Sequence, residues 1–411
     1  MKRISIIGGG ISGLAVLHYL KQRLGDAAHI TLYEREASAG GTVRSFKKNS
    51  ALFEWGPNGF LNNQPATLQL IEDLNLTDQL IQAQPTSSKR FIQIQGVLHQ
   101  ASMNPLSLAQ TPLLTFKDKI ALWTGLFKNV SKDQSIHEHV SQKFSANIAE
   151  IFIDSFVTGV YAGDIRRLHM ASAFPKLKHR VLKRPVMFSL KEGMGSIIEA
   201  LSQRYQSHIQ TNSEITINKI NADITVVATP AYAASKIVES LNPDLTQTLD
   251  QIPYAPMAVA GLLFQKTAFK KIPQGFGYLV PSRENKDILG VLIESNIFSR
   301  RAGDDEVMLR VMLGGAHHPG IINDSTDQIL AKARKEIDAV YGLTIGPMDT
   351  FVKSWPKAIP QYELNYPQLR CLIDEQRAKT PGLYLCANYL DGVSFNDCIA
   401  KAQTLASLLS A

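Results

Sequence analysis

Cysteine is scarce: only Cys371, Cys386 and Cys398 occur in 411 residues, and none forms a C-x-x-C pair. An odd, unpaired set excludes a disulfide framework and fits a reducing compartment. Long hydrophobic runs are missing as well. The longest candidate membrane stretch, Ala121 to Phe127, is far too short to span a bilayer. With a strand expected from Arg3, no signal or transit peptide is expected. The expectation is a cytoplasmic chain, soluble or resting on a membrane surface. There are no internal repeats and no low-complexity tract. His137-x-His139 and His317-His318 have no Cys or carboxylate set at ligand spacing, so no metal is expected. Nucleic-acid motifs are absent, and no nucleic acid is expected as a partner.

What is present is ordinary globular composition, 45% hydrophobic and 19% charged, long enough for two or three domains. The charge is uneven. Between Thr86 and Lys191 there are 15 Lys/Arg against 6 Asp/Glu, a net of +9, while the whole chain carries +7. That segment is expected to face something anionic. A solvated basic face is the plainer alternative.

Arg3 to Ile7 reads as a buried parallel strand, and Leu14, Leu17, Tyr19 and Leu20 as a helix facing a sheet. Ile30 to Tyr33 is the next strand, a βαβ start. The stretch from Leu106 to about Thr211 reads as mostly helical. Met257–Phe264, Gly277–Val280, Ile288–Glu294 and Val307–Leu313 alternate as strands of an antiparallel sheet. Asp327 to Tyr341 and Asp397 to Leu409 read as helices.

Between the first strand and helix lies Gly8-x-Gly10-Ile11-Ser12-Gly13. Gly8 permits the tight turn, Gly10 lets backbone approach a pyrophosphate, and Gly13 lets helix and strand pack closely. The helix start supplies free N–H groups to phosphate. Glu34, followed by Arg35, ends the second strand, where an acidic residue takes ribose hydroxyls. This fingerprint does not separate NAD from FAD. Gly40-Gly41-Thr42-Val43-Arg44 resembles the second signature of FAD-containing amine-oxidase-like enzymes. Near the C-terminus, Gly392-Val393-Ser394 leads from a strand into the last helix, whose start would face the flavin's pyrimidine edge in that fold. A plain turn at Gly392 is the bland reading.

Further segments appear in the order of one family. They are Phe53-Glu54-Trp55-Gly56-Pro57-Asn58-Gly59-Phe60, Phe156-Val157-Thr158-Gly159-Val160-Tyr161-Ala162-Gly163-Asp164, Gly275-Phe276-Gly277-Tyr278-Leu279-Val280-Pro281-Ser282 followed by Glu284, Gly314-Gly315-Ala316 and Trp355 to Tyr362. Over nearly its whole length the chain resembles the oxygen-dependent protoporphyrinogen oxidase family. The resemblance implies an α/β with α+β fold in three parts. A Rossmann-like FAD-binding domain would comprise 1–84, 191–232 and 375–411. An antiparallel-sheet substrate domain would comprise 85–101 and 233–374, and a helical membrane-binding insertion 102–190. It implies non-covalent FAD, with Gly56, Pro57 and Asn58 on a flavin-side loop. It also implies six-electron oxidation of protoporphyrinogen IX by dioxygen, Arg90 on a propionate, and Gly159 against the macrocycle, with no catalytic side-chain base. Ile120, Trp123, Phe127 and Val130 share one helical face flanked by Lys117, Lys119 and Lys128, which suits an anionic membrane at the inner face of a bacterial cell. An amphipathic core helix is the competing reading. A homodimer is compatible.

Leu289, Leu292 and Met312 are candidate apolar walls. Two departures stand out: Thr211 to Ala228 is compact where relatives have a longer hairpin, and Cys386-Ala387-Asn388 lacks the more usual glycine. The alternatives are a coproporphyrinogen III oxidase, another flavin amine-oxidase-like enzyme such as a carotenoid desaturase, and a catalytically inactive flavin or haem carrier.

Overall fold

The computed structural model describes all residues except 102–107, 109 and 176–184. Four sheets organise the described residues. The first is parallel, with strands β1 (Lys2–Ile7), β2 (Ala28–Tyr33), β10 (Ile209–Gln210), β11 (Ile224–Val227) and β17 (Leu383–Leu385) in the order β10-β2-β1-β11-β17. β1 and β11 are inner strands, and Ile4–Ile7 and Ile224–Val227 are all buried, as strands covered on both faces must be. The helix Ile11–Leu24 follows β1. Its first ten residues are all buried, because it lies between the sheet and the last helix, Phe395–Ser410.

Two small sheets extend this module. β3 (Ser45–Lys48) and β4 (Ala51–Glu54) form a hairpin. β5 (Phe60–Leu61) and β6 (Leu80–Gln82) both pair with β9 (Met187–Leu190). The stretch 106–211 is therefore not uniformly helical: β9 returns to the N-terminal module. The Phe188 and Phe60 rings stack there, and Leu190 joins the same core as Leu70 and Ile197.

The fourth sheet has seven strands: β7 (Arg90–Ile94), β8 (Val97–Ala101), β12 (Tyr254–Gln265), β13 (Gly277–Leu279), β14 (Ile288–Ile293), β15 (Glu306–Gly314) and β16 (Asp349–Pro360). Their order is β16-β12-β15-β14-β13-β7-β8. The four strands expected to form an antiparallel sheet, β12 to β15, pair antiparallel with one another; β7 joins them by running parallel to β13. The two strands come from distant parts of the chain, so no hairpin dictates their direction. One face packs on the helix Thr326–Tyr341 through Leu262, Phe264, Leu309 and Val311. The other face looks toward the N-terminal module.

The basic stretch contains the helix Phe116–Gly125, opened by a capping box of Thr115 and Asp118. It stops at Gly125, where a β-carbon would lie 2.2 Å from the Lys143 carbonyl oxygen. Phe127 and Val130 thus lie beyond the helix rather than on its face. The side chains are not core: Phe116 is 78%, Trp123 64% and Phe127 90% exposed, with Ile120 and Leu126 exposed as well. No helix among the described residues is long and apolar enough to cross a membrane.

Candidate active site

Gly8 takes φ +108°, and a β-carbon there would lie 2.8 Å from Thr229 Cγ2. At Gly13 it would lie 1.9 Å from the Gly8 carbonyl oxygen. Gly10 differs, since a β-carbon would meet nothing within 4 Å. The bare Gly10 α-carbon therefore faces open space at the start of a helix with no side-chain cap. With Ile11 and Ser12 beginning that helix, its first N–H groups are left for an anion. This is a cradle that fits a pyrophosphate.

Glu34 braces the cradle. Its Oε2 accepts from the Gly9 amide at 2.7 Å and its Oε1 from the Glu36 amide at 2.8 Å. Arg35 turns away and pairs with Glu36 in solvent. Gly40 donates its amide to Gly9 O at 2.8 Å, bringing the Gly40–Gly41 turn beside the first loop. A β-carbon on Gly41 would approach only the Gly10 α-carbon, at 3.4 Å. Gly56 is held against the same turn, because its β-carbon would lie 2.2 Å from Thr42 O. Arg44 donates to Ser38 O at 3.0 Å and its guanidinium lies 5.3 Å from the Trp55 ring centre. Its Nε is buried without a partner among the described residues. Pro57 and Asn58 continue the loop toward β9.

The last helix starts from the same edge of the parallel sheet as Ile11–Leu24 and packs along it. Gly392 has φ +126°. Ser394 and Asp397 form a capping box, so a carboxylate already sits at this helix start. Val393 packs against the core of the helical region. Lys401 donates to the carbonyls of Ala387 and Gly392, both at 2.9 Å, and also to Leu390 O. Burial pushes the Cys386 thiol up to about 12 and raises that of Cys398, so both stay protonated. The structure thus gathers Gly8 to Gly13, Gly40 to Thr42, Gly56 and the Gly392–Ser394 helix start at one end of the module.

Arg90 and Gly159 lie with the other sheet. Register places Lys353, Val259, Met312, Gly290, Leu279 and Ile92 in one row across its inner face. The adjacent row holds Gly261, Arg310, Leu292, Gly277 and Arg90. Gly159 sits above the first row, where its β-carbon would be 3.0 Å from Leu279. Phe156 and Val160, on the same helix (Asp154–Tyr161), are exposed, and the Phe156 ring stacks on Phe174. Leu289 joins Met257, Met312 and Ile359 in a cluster beside it. Arg90 lies 4.7 Å from the Phe276 ring centre and has no ion-pair partner among the described residues.

Sequence reading assigned no role to the buried charged groups, among them Glu54, Glu294, Arg301 and Arg310. Arg310 had a visible signal, as a lone charge inside the apolar run of β15. Arg301 and Glu294 had none, because their partners are distant in sequence. It also missed Lys353, whose ammonium lies 4.5 Å from the Trp55 and 4.7 Å from the Trp355 ring centre. The histidines serve local structure: His139 bonds Ser131 O at 2.7 Å and His137 lies 3.5 Å from Glu150.

A family described as flavin containing amine oxidoreductase matches residues 11–409. Protoporphyrinogen oxidase 2, chloroplastic/mitochondrial, of Arabidopsis thaliana is 25% identical, covering 99% of this chain and 94% of its own. Coproporphyrinogen III oxidase of Bacillus subtilis is 24% identical, covering 99% and 97%. A solved structure from Exiguobacterium sp. 255-15, described provisionally as a protoporphyrinogen oxidase, superimposes with a TM-score of 0.85 at 22% identity, over 100% of this chain and 98% of that one.

Proposed function

The chain belongs to the flavin containing amine oxidoreductase family, and from that membership we propose that it oxidises a porphyrinogen to the porphyrin with non-covalent FAD. Dioxygen is the proposed acceptor: one porphyrinogen and three dioxygen molecules give one porphyrin and three hydrogen peroxide, which balances six electrons and six protons. The observation that carries the reading is the inner sheet face. Val259, Met312, Gly290 and Leu279 share a row that makes an apolar floor, with Gly159 against Leu279, the exposed Phe156 and Val160 on the same helix as Gly159, and on the next row Arg90, which has no ion-pair partner among the described residues. A flat tetrapyrrole needs apolar walls, and its propionates need a cation.

When bound, the isoalloxazine ring supplies the electron acceptor. The chain's own residues bind and orient. Gly8, Gly10 and Gly13 with the first helix start would take the pyrophosphate, and Glu34 keeps Gly9 in place. Thr42 and Gly56 hold two loops in contact at the ring end, and Arg44 supplies a cation beside them. Arg90 would fix one edge of the substrate by a charged fork. No side-chain base is assigned, because a pyrrole N–H can release its own proton.

Protoporphyrinogen IX is the proposed substrate. Coproporphyrinogen III is the second reading, favoured by the Bacillus relative that matches at 24% identity over 97% of its length. The exposed Phe116, Ile120, Trp123 and Phe127, beside Lys117 and Lys119, support peripheral attachment to an anionic membrane. One assay tests the proposal: each colourless porphyrinogen is mixed with the yellow holoprotein in air. Porphyrin fluorescence with either is the expected result, and faster turnover of the four-propionate substrate would reverse the choice between them. No fluorescence with both, and no bleaching of the flavin under anaerobic conditions, would overturn the assignment.

A further inference from the structure

Two buried arginine–glutamate pairs enclose the segment Glu54 to Asn58. Arg310 donates through Nη2 to Gly56 O, and its Nη1 lies 3.7 Å from Glu294 Oε1. The same carboxylate oxygen accepts from Asn58 Nδ2 at 3.0 Å. On the other flank Arg301 lies 3.7 Å from Glu54 Oε1 and donates to Ser189 Oγ at 2.6 Å. That hydroxyl donates in turn to Asn58 O at 2.8 Å.

Such pairs are not explained by stability alone. Taking both charges out of water costs about as much as their attraction returns, and apolar residues of similar volume serve equally well. What a guanidinium adds is a rigid planar fork that fixes two acceptors at once. Here one arm donates to Gly56 O and the other faces the Glu294 carboxylate at ion-pair distance, 3.7 Å. Arg310 stands on the inner sheet face beside Leu292, its register partner, and Glu294 follows the end of that same strand β14. The Gly56 backbone has no slack against Thr42 O. A shift of Arg310 therefore passes through Gly56 to the Gly41–Thr42 turn. Glu294 Oε2 and Arg310 Nε are buried with no partner among the described residues, so neither group is saturated by its own network.

We propose that Arg310 and Glu294 are positioning residues, which set the cofactor-side loop in register with the substrate floor. The proposal takes from the preceding section only the statement that this loop borders the flavin. It differs from a mere packing role in what it predicts for kinetics and spectra.

The test compares R310K, R310M, E294Q and the double variant R310M/E294M in full-length protein. The double variant avoids leaving one buried charge alone, should R310M fail to fold. In holoprotein the double variant is expected to unfold cooperatively, with kcat reduced about tenfold or more, as a misplaced reacting group costs. KM should change far less, the flavin midpoint potential should move, and R310K should recover part of kcat. In flavin-free protein on a W123F background, only Trp55 and Trp355 emit, and both stand at this loop. Their emission should shift to the red and become easier to quench. Unchanged emission together with native kcat and midpoint potential in the double variant would overturn the proposal. A polypeptide that never binds flavin would sink the proposed function instead, while the indole emission would still judge this one.

Discussion

The Tyr362 phenol accepts a hydrogen bond from the Gly392 amide at 2.8 Å and donates one to Asn388 O at 2.6 Å. One buried side chain thus holds both ends of the loop that enters the last helix. Its ring stacks on Tyr366, 4.2 Å between centres, and Tyr366 in turn donates to Tyr389 O at 2.8 Å. Tyr362→Phe keeps the packing and removes both bonds. It should lower unfolding stability by about 1–3 kcal/mol and speed release of bound flavin. Thermal unfolding and flavin release on dilution measure the two effects. Native behaviour in both would show that the loop holds without the phenol.

Gly13 and Gly10 should fail differently. Gly13→Ala drives a methyl into the Gly8 carbonyl, so little soluble folded protein is expected. Gly10→Ala meets no protein atom and should fold, yet it should lose flavin because the methyl enters the cradle. Circular dichroism and flavin content of the purified variants separate the two outcomes.

Arg90→Ala removes the free guanidinium near the floor. Substrate KM should rise roughly ten- to a hundredfold, the effect of losing a charged hydrogen bond of about 1.5–3 kcal/mol. Flavin content should stay native. Steady-state kinetics with a porphyrinogen decide it, and an unaltered KM would remove Arg90 from the site.

Burial raises the Glu54 carboxyl from its ordinary 4.5 to about 7, with Arg301 opposing that shift. The folded state therefore binds a proton that the unfolded chain releases near 4.5. Its stabilising effect is complete below about pH 4.5 and is lost as pH rises toward 7. Glu54→Gln should flatten this part of the stability profile, a change on the order of 2–3 kcal/mol across the window. Denaturant unfolding at pH 5 and pH 8 would show it, and parallel profiles for the two proteins would refute it.

Trp123→Asp should weaken binding to vesicles of anionic lipid, and native binding should fall as salt rises. Sedimentation with vesicles at two salt concentrations measures both. No sedimentation of the native chain at low salt would leave Phe116, Trp123 and Phe127 as a surface facing water.

The elements that repeat a local pattern were readable from sequence. Gly8-x-Gly10-x-x-Gly13 between a strand and a helix is a local pattern, and the structure has the turn there, after Lys2–Ile7 and into Ile11–Leu24. β12, β14 and β15 showed their alternation. β16 did not, because Pro356 interrupts it. A proline inside a strand is tolerated only where its missing N–H faces no partner, and β16 is an edge strand. The parallel pairing of β7 with β13 was equally hidden, as were Arg301 and Glu294. Their meaning lies in partners such as Glu54 and Asn58, which only the folded chain brings near.

The parallel sheet beneath the glycine loop has as its members strands beginning at Lys2, Ala28, Ile209, Ile224 and Leu383. Its fifth strand, Leu383–Leu385, is translated after every other strand of the fold. Until then β11 has an open edge, and the helix that covers Ile11–Leu24 does not yet exist. A nascent chain that stops short of Leu383 therefore carries an unpaired strand edge and an uncovered apolar helix, the features that make partly folded chains prone to aggregate.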